Sequence, residues 1–131
     1  MAIIETGIDE TWGHSNIIVI GKLRPDQVID IINGSFRKDP AENVIWDFTQ
    51  ANLSEFKLDN LQNIVDEVKV IPSVPGADAR DAFVVQNEGQ LSILKLFTAL
   101  ADTRLDNNSY RIFETREEAL AWLYPRDGQD E

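Results

Sequence analysis

The stretch Arg80-Asp81-Ala82-Phe83-Val84-Val85-Gln86-Asn87-Glu88-Gly89-Gln90-Leu91 decides the predicted fold of this chain. Its apolar centre is typical of a strand, its Asn-Glu-Gly segment is typical of a turn, and the residues that follow begin a long amphipathic helix. Residues 44–48 form a second apolar run, nearly continuous as in a strand covered on both faces, and another helix pattern follows them. Alternating strands and helices predict a layered α/β domain with functional loops at the strand ends.

The amino-terminal part of the chain carries the signals of a hairpin and a helix. Residues 3–6 and 16–20 are short β-branched runs with a polar connection between them. A helix begins at Pro25 and either stops at residues 33–34 or runs on to Phe36. Its predicted buried residues are Val28, Ile29 and Ile32.

The rest of the chain supplies two helices, a strand and a final helix. Residues 58–71 carry apolar side chains at steps of three and four, and prolines at 72 and 75 end this helix. Residues 90–105 form the third helix and residues 109–114 the fifth strand. Thr115-Arg116-Glu117-Glu118 matches a capping box that opens the last helix.

The predicted fold is therefore a single α/β domain over residues 1–124, followed by an acidic flexible tail over residues 125–131. About five strands form a mixed sheet with about four helices, in the order β-β-α-β-α-β-α-β-α. With 131 residues, of which 43% are hydrophobic, the chain is long enough to bury a core.

Composition narrows the classes of partner. The chain has 12 basic and 23 acidic residues, a formal net charge of -11, which repels nucleic-acid phosphates and anionic lipids. It has no cysteine, so disulfides and thiolate chemistry are excluded and a cytoplasmic location is expected. No secretion signal or membrane span is predicted, because the start lacks a signal pattern and no apolar run approaches about 20 residues.

Three stretches resemble proteins of the STAS-like, or SpoIIAA-like, family. Val44-Ile45-Trp46-Asp47-Phe48-Thr49 is similar to the family's central strand, which ends in an aspartate, and Ala82-Phe83-Val84-Val85 to its fourth strand. Tyr110-Arg111-Ile112-Phe113-Glu114-Thr115-Arg116-Glu117-Glu118-Ala119-Leu120-Ala121-Trp122-Leu123 is similar to the family's closing strand and helix. The family includes bacterial anti-sigma-factor antagonists and the tails of sulfate transporters, so the resemblance implies a regulatory protein-interaction module.

One departure from the family bears on function. The resemblance implies an Asp-Ser-Ser-Gly or Asp-Ser-Thr-Gly motif at the start of the second helix, where the antagonists carry a phosphorylated serine. This chain has Glu55-Phe56-Lys57-Leu58 there, so the phosphoacceptor is absent at that position. Ser54 lies close by, either as a helix cap or solvated loop residue or as a shifted phosphorylation site.

The sequence contains no catalytic set, and the protein is predicted not to be an enzyme. His14 is the only histidine and is expected in a solvated loop, so neither a Ser-His-Asp triad nor a metal site is predicted. The acidic pairs at 9–10, 117–118 and 130–131 are expected to be surface charge. No cofactor motif occurs, because Asn87-Glu88-Gly89-Gln90 is a single glycine turn.

Two surfaces are candidates for binding. Residues 49–56 are predicted as a polar loop, and the polar side chains best placed at the strand ends are Thr49, Ser54, Asn87 and Gln90. Because helix N-termini attract anions, these four residues either line a site for a small anion, a nucleotide or a protein partner, or cap their helices.

The third helix is apolar over more of its circumference than one buried stripe requires. Either it is wedged between the sheet and a neighbouring helix, or Ile93, Leu96 and Leu100 form a dimer or partner surface. The preferred function is a non-enzymatic regulatory or protein-interaction module, with a protein or a second copy as partner. The alternative is a small carrier of an apolar, lipid-like ligand.

Overall fold

The computed structural model describes residues 1–36, 43–70, 79–105 and 108–125. Its elements follow the predicted order of five strands and four helices. They are β1 (Ile3–Ile8), β2 (Ser15–Lys22), α1 (Pro25–Ile31), a π-helical turn (Ile32–Phe36), β3 (Asn43–Asn52), α2 (Leu58–Lys69), β4 (Ala79–Val84), α3 (Glu88–Arg104), β5 (Asn108–Phe113) and α4 (Arg116–Leu123).

The five strands form one mixed sheet in the order β1-β2-β3-β4-β5. β1 is antiparallel to β2, and β2 to β5 are parallel to one another. The carboxyl ends of β3 and β4 therefore meet at one edge of the sheet, where α2 and α3 begin. The mixed five-stranded sheet and the four helices confirm the predicted fold class.

One face of the sheet is covered by α1, α2 and α3, and most of the core lies there. The aromatic side chains of this core are in ring contact, with centroids 5.3 to 6.4 Å apart. They are Trp46, Phe48, Phe83, Phe97 and Tyr110. Leu61, Ile64 and Val65 of α2 and Leu94 and Ala101 of α3 complete the packing.

The opposite face carries α4 and a much smaller apolar cluster. Its buried members are Ile45, Ala82, Val84, Ala119 and Leu123. The alternation of side chains along β3 and β4 explains the division, since neighbouring residues of a strand point to opposite faces. β3 and β4 are thus apolar on both faces, as their continuous hydrophobic runs predict.

β3 is longer than predicted, and this moves Thr49 from a loop into the strand. The pairing of β2 with β3 shifts register between Ile18 and Ile20, which lets β3 continue past an irregularity to Asn52. Within that irregularity the Asp47 carboxylate accepts hydrogen bonds from the Thr49 amide (2.9 Å) and hydroxyl (2.6 Å). The loop between β3 and α2 covers residues 53–57, rather than the predicted 49–56.

The first helix does not stop at residues 33–34. α1 leads directly into the π-helical turn, which ends at Phe36, so the longer of the two readings is nearer the structure. The expected helix stop at prolines 72 and 75 lies outside the described residues, as does the tail from residue 126.

Candidate functional site

Gln90 links the ends of β3 and β4 to the start of α3. Its side chain is 3% exposed and donates to the carbonyl oxygens of Ala51 (2.9 Å) and Thr49 (3.3 Å). Its side-chain oxygen accepts from the backbone amides of Gln86 (2.7 Å) and Asn87 (3.3 Å). One amide side chain thus satisfies buried backbone groups from two strand ends, which fixes the geometry of this edge.

The structure joins three of the four predicted strand-end residues. Asn87 is the N-cap of α3, and its side chain accepts from the Gln90 amide at 2.9 Å. Thr49 reaches the same network through its carbonyl, while its hydroxyl is held by Asp47. Ser54 is exposed in the next loop, where its amide donates to the Asn52 side chain at 2.9 Å.

Of the four residues at the place of the family's phosphoserine motif, Phe56 belongs to the core, while Glu55, Lys57 and Leu58 are exposed. Phe56 is 8% exposed and packs with Leu53, which is 5% exposed. The Phe56 amide donates to the Leu53 carbonyl at 3.2 Å, and the Lys57 amide donates to the Asn60 side chain at 2.9 Å. The loop is therefore held in place by Phe56 and at its junction with α2, and none of the four residues at the motif carries a hydroxyl.

α3 is partly wedged, as the first of the two explanations predicts. Ile93 and Leu100 are half-buried against the core between the sheet and the helices, whereas Leu96 is 40% exposed. On another side of α3, Ser92, Lys95, Ala99 and Asp102 are exposed. A dimer or partner surface at Ile93, Leu96 and Leu100 stays a prediction.

The expectation of a solvated His14 is wrong, because His14 is 1% exposed. Its ring nitrogens lie 3.2 Å from the Tyr124 hydroxyl and 3.1 Å from the Asn16 side-chain oxygen, and Arg116 donates to that same oxygen at 2.6 Å. Trp12 stacks on Tyr124 with centroids 4.9 Å apart. Asn16 is two positions from His14, but Arg116 and Tyr124 come from α4 and the residue after it, more than 100 positions away, so local sequence gave no signal that this cluster would be buried.

The loop that carries His14 is shaped by Asp9 and Gly13. The Asp9 carboxylate accepts from the amides of Thr11 (2.9 Å) and Trp12 (2.8 Å), and Gly13 adopts a φ of 89°, which favours glycine. Burial lowers the pKa of His14, and the negative charge of Asp9 offsets part of that effect. A neutral imidazole fits the site, since one ring nitrogen must accept when the Tyr124 hydroxyl donates.

Asp81 is a second buried ionisable residue, on the opposite face of the sheet. The Trp46 indole donates to its carboxylate at 3.0 Å, and burial raises the pKa of Asp81 to about 7. The two-residue alternation of β4 places Asp81 on the face of Phe83, so the sequence did contain this signal. Asp81 is nevertheless not among the candidate residues named from the sequence.

Within the described residues no group of three or more His, Cys, Asp or Glu side chains could hold a metal ion. In the same parts of the chain, no helix combines the length and the apolar character that crossing a membrane requires.

The fold is that of SpoIIAA-like proteins, which confirms the resemblance at the level of structure. An uncharacterised protein of the DUF3478 family with a SpoIIAA-like fold, from Shewanella loihica PV-4, superposes with a TM-score of 0.55 at 18% identity, over 94% of this chain and 93% of the other. An anti-sigma factor antagonist from Mycobacterium paratuberculosis has a TM-score of 0.55 at 16% identity, over 92% and 93%.

The anti-sigma factor antagonist SpoIIAA in its unphosphorylated form has a TM-score of 0.54 at 12% identity, over 92% of this chain and 97% of the other. No family model matches the sequence, and no curated protein matches it. At these identities the likeness establishes the fold, and the function must be argued from the residues of this chain.

Proposed function

We propose that this protein is a non-enzymatic regulatory module that binds a protein partner through the loop at residues 53–57 and the start of α2. The observation that carries the proposal is that some side chains of this loop are buried in the core while their neighbours are exposed. Leu53 and Phe56 anchor it in the core, while Ser54 and Glu55 are exposed and Leu58 is 46% exposed. A loop held in one conformation before binding loses little entropy on binding, and it presents an apolar side chain beside charged ones.

The similar structures support a partner at this place. Two of them are named anti-sigma factor antagonists, and the target in that name, an anti-sigma factor, is itself a protein. Here Glu55-Phe56-Lys57-Leu58 stands where the resemblance implies the phosphoserine motif, so we propose recognition without phosphorylation at that position. Ser54 remains the nearest hydroxyl, and it is exposed beside the anchored residues.

The absence of an enzymatic activity is supported by where the buried ionisable groups lie. General acid-base chemistry needs such groups to face one another across a site. His14 lies on the α4 side of the sheet and Asp81 lies under the helices of the other face. At the strand ends, the side chains of Asn87 and Gln90 are engaged with backbone groups.

A more specific proposal is that the strand ends bind a small anion, but nearby negative charges oppose such binding. Asp59 lies in the first turn of α2 and Glu88 in the first turn of α3, so each helix start already has a carboxylate near its positive end. Titration with phosphate and with nucleotides, followed by nuclear magnetic resonance, tests this form. Unshifted signals at Thr49, Ser54, Asn87 and Gln90 would exclude it.

A photoreactive amino acid at Ser54, introduced in cells that express the protein, tests the partner surface. We expect one cross-linked protein, lost when Leu58→Asp is added. The matched control is the same photoreactive residue at Glu117, an exposed position on α4, which should not capture that protein. Capture that is equal from both positions, or insensitive to Leu58→Asp, would reject the proposed surface.

The apolar-carrier alternative requires room for a ligand beside the core. Between the sheet and α3, the aromatic rings of Trp46, Phe48, Phe83, Phe97 and Tyr110 contact one another. This packing supports the interaction module over the carrier. Native mass spectrometry of the purified protein separates the two, because a carrier would show a bound molecule in addition to the 14.8 kDa chain.

A further inference from the structure

β1 is an open edge of the sheet. It pairs with β2 along Ile3–Ile8 without a register shift, and its other side pairs with no strand of the described residues. Ile3 is 64% exposed and Ile8 is 69% exposed. An edge of this kind presents a row of backbone donors and acceptors to another strand, and proteins usually block it with lysine, proline or a bulge. β1 contains none of these.

We propose that β1 pairs with β1 of a second copy, antiparallel and about a two-fold axis, so that two sheets join into one. This inference is independent of the proposed partner surface at residues 53–57. The axis of such a pair stands perpendicular to the sheet, so the same face of both copies lies on the same side. Residues opposite each other must therefore belong to the same face.

The sequence of β1 selects one register. Ile4, Thr6 and Ile8 share the face covered by the helices, and Ile4 packs against the main core. With the axis at Thr6, each Ile8 lies opposite Ile4 of the other copy and the two Thr6 residues face each other. Both are favourable cross-strand pairs, and the exposed Ile8 side chain joins the edge of the core.

The neighbouring register is unfavourable. An axis at Glu5 would place the two Glu5 carboxylates directly opposite each other, which is repulsive. With the axis at Thr6, Glu5 instead lies opposite Gly7 of the other copy, where no side chain stands. The register centred on Thr6 therefore combines apolar contact with the separation of like charges.

β5, at the opposite edge of the sheet, is less suited to pairing with its own copy. In β5, Tyr110, Ile112 and Phe113 are half-buried against the neighbouring core clusters, which leaves little apolar surface for a partner. The exposed residue at the centre of that strand is Arg111, and an axis there would oppose two guanidinium groups. Self-pairing is thus favoured at β1.

Net charge sets the expected salt dependence. Each copy carries a formal charge of -11, so two copies repel each other at long range, and salt screens this repulsion. We expect the dimer to become tighter as salt is added, in contrast to an association held by opposite charges.

Sedimentation equilibrium with charge variants at Thr6 tests the register. Thr6→Lys and Thr6→Glu each place like charges opposite each other at the axis, and each should weaken self-association by about fivefold. An equimolar mixture of the two should restore it as a heterodimer, since lysine then faces glutamate. The same substitutions at Ser92, an exposed residue of α3, should leave the dimer unchanged.

A cysteine test uses the absence of natural cysteine from the chain. Thr6→Cys should oxidise to a covalent dimer far faster than Ile3→Cys, because only residues at the axis meet their own copy. Circular dichroism verifies that each variant is folded. A wild type that stays monomeric at all salt concentrations would overturn the proposal. So would a dimer that Leu96→Asp dissociates while both Thr6 variants leave it intact, since that result assigns the interface to α3.

Discussion

The two faces of the sheet are stabilised by different kinds of contact. The face under α1, α2 and α3 is held by contacting aromatic rings around Phe83. The face under α4 has a small apolar cluster, and beside it a polar cluster in which His14, Asn16 and Arg116 share hydrogen bonds. Each face also buries one ionisable side chain, His14 on the α4 face and Asp81 on the other, so pH can weaken both faces, in opposite directions.

The largest expected effect comes from removing an aromatic ring of the first face. Phe83→Ala deletes a side chain that is 4% exposed and leaves a cavity, so it should lower the free energy of unfolding by about 3 to 5 kcal/mol. Leu123→Ala, the matched change on the α4 face, should cost about 2 kcal/mol. Urea denaturation measures both, and a smaller loss for Phe83→Ala than for Leu123→Ala would reverse the comparison.

Asp81 is the pH-sensitive exception on the first face. Its pKa is raised from 3.8 to about 7, so the folded state retains a proton that the unfolded state releases between those values. Stability from this group is complete below pH 3.8 and is lost as the pH rises to about 7, an effect of a few kcal/mol. Asp81→Asn should remove this loss of stability. The free energy of unfolding, measured by urea denaturation at several pH values, should therefore fall between pH 3.8 and about 7 in the wild type relative to the variant. Parallel curves would contradict it.

His14 gives the α4 face the opposite pH dependence. Burial lowers its pKa below the ordinary value of 6.5, so the unfolded state binds a proton before the folded state does. Stability from this group is present above pH 6.5 and falls as the pH drops through the lowered value. His14→Gln should lose about 1 to 2 kcal/mol at neutral pH and flatten that fall. Histidine proton shifts followed by nuclear magnetic resonance measure the pKa, and a value at or above 6.5 would contradict the assignment.

The smallest expected effect concerns the helix caps of the two faces. Thr115 caps α4 through its hydroxyl, which accepts from the Glu118 amide at 3.2 Å, and Thr115→Ala should cost about 1 kcal/mol. Asn87→Ala removes the cap of α3 within the Gln90 network and should cost more, because that network also joins β3. Thermal unfolding ranks the two, and equal losses would show that the network adds nothing to a simple cap.

The sequence was sufficient for the fold because the decisive patterns are local. The continuous apolar runs of β3 and β4 predict strands covered on both faces, and the three-and-four spacing of α2 predicts its buried stripe. The capping role of Thr115 is also local, but one detail differs from the predicted capping box. In a capping box the Glu118 carboxylate accepts from the Thr115 backbone amide, whereas in the structure it accepts from the Thr115 hydroxyl. The extension of β3 to Asn52 depends on the irregular pairing with β2, which composition does not reveal.

The candidate site was predictable only in part, for the same physical reason. Parallel strands bring their carboxyl ends together, so the proximity of Thr49, Asn87 and Gln90 followed from topology. That Gln90 turns inward to bind two carbonyls depends on the distance between strand ends, and that His14 is buried depends on Tyr124 from the other end of the chain. Contacts between distant residues are fixed by packing, and a local pattern does not encode them.

The bond between His14 and Tyr124 joins the first hairpin to the last helix, and this has a consequence during synthesis on the ribosome. The hairpin loop emerges first, but Arg116 and Tyr124, which contribute to the cluster around its imidazole, are made more than 100 residues later. Until then the α4 side of β3 and β4 remains uncovered, so a nascent chain exposes Ile45 and Val84 from their own synthesis until α4 is made. Chaperones that recognise apolar strands would find their binding segment on this side.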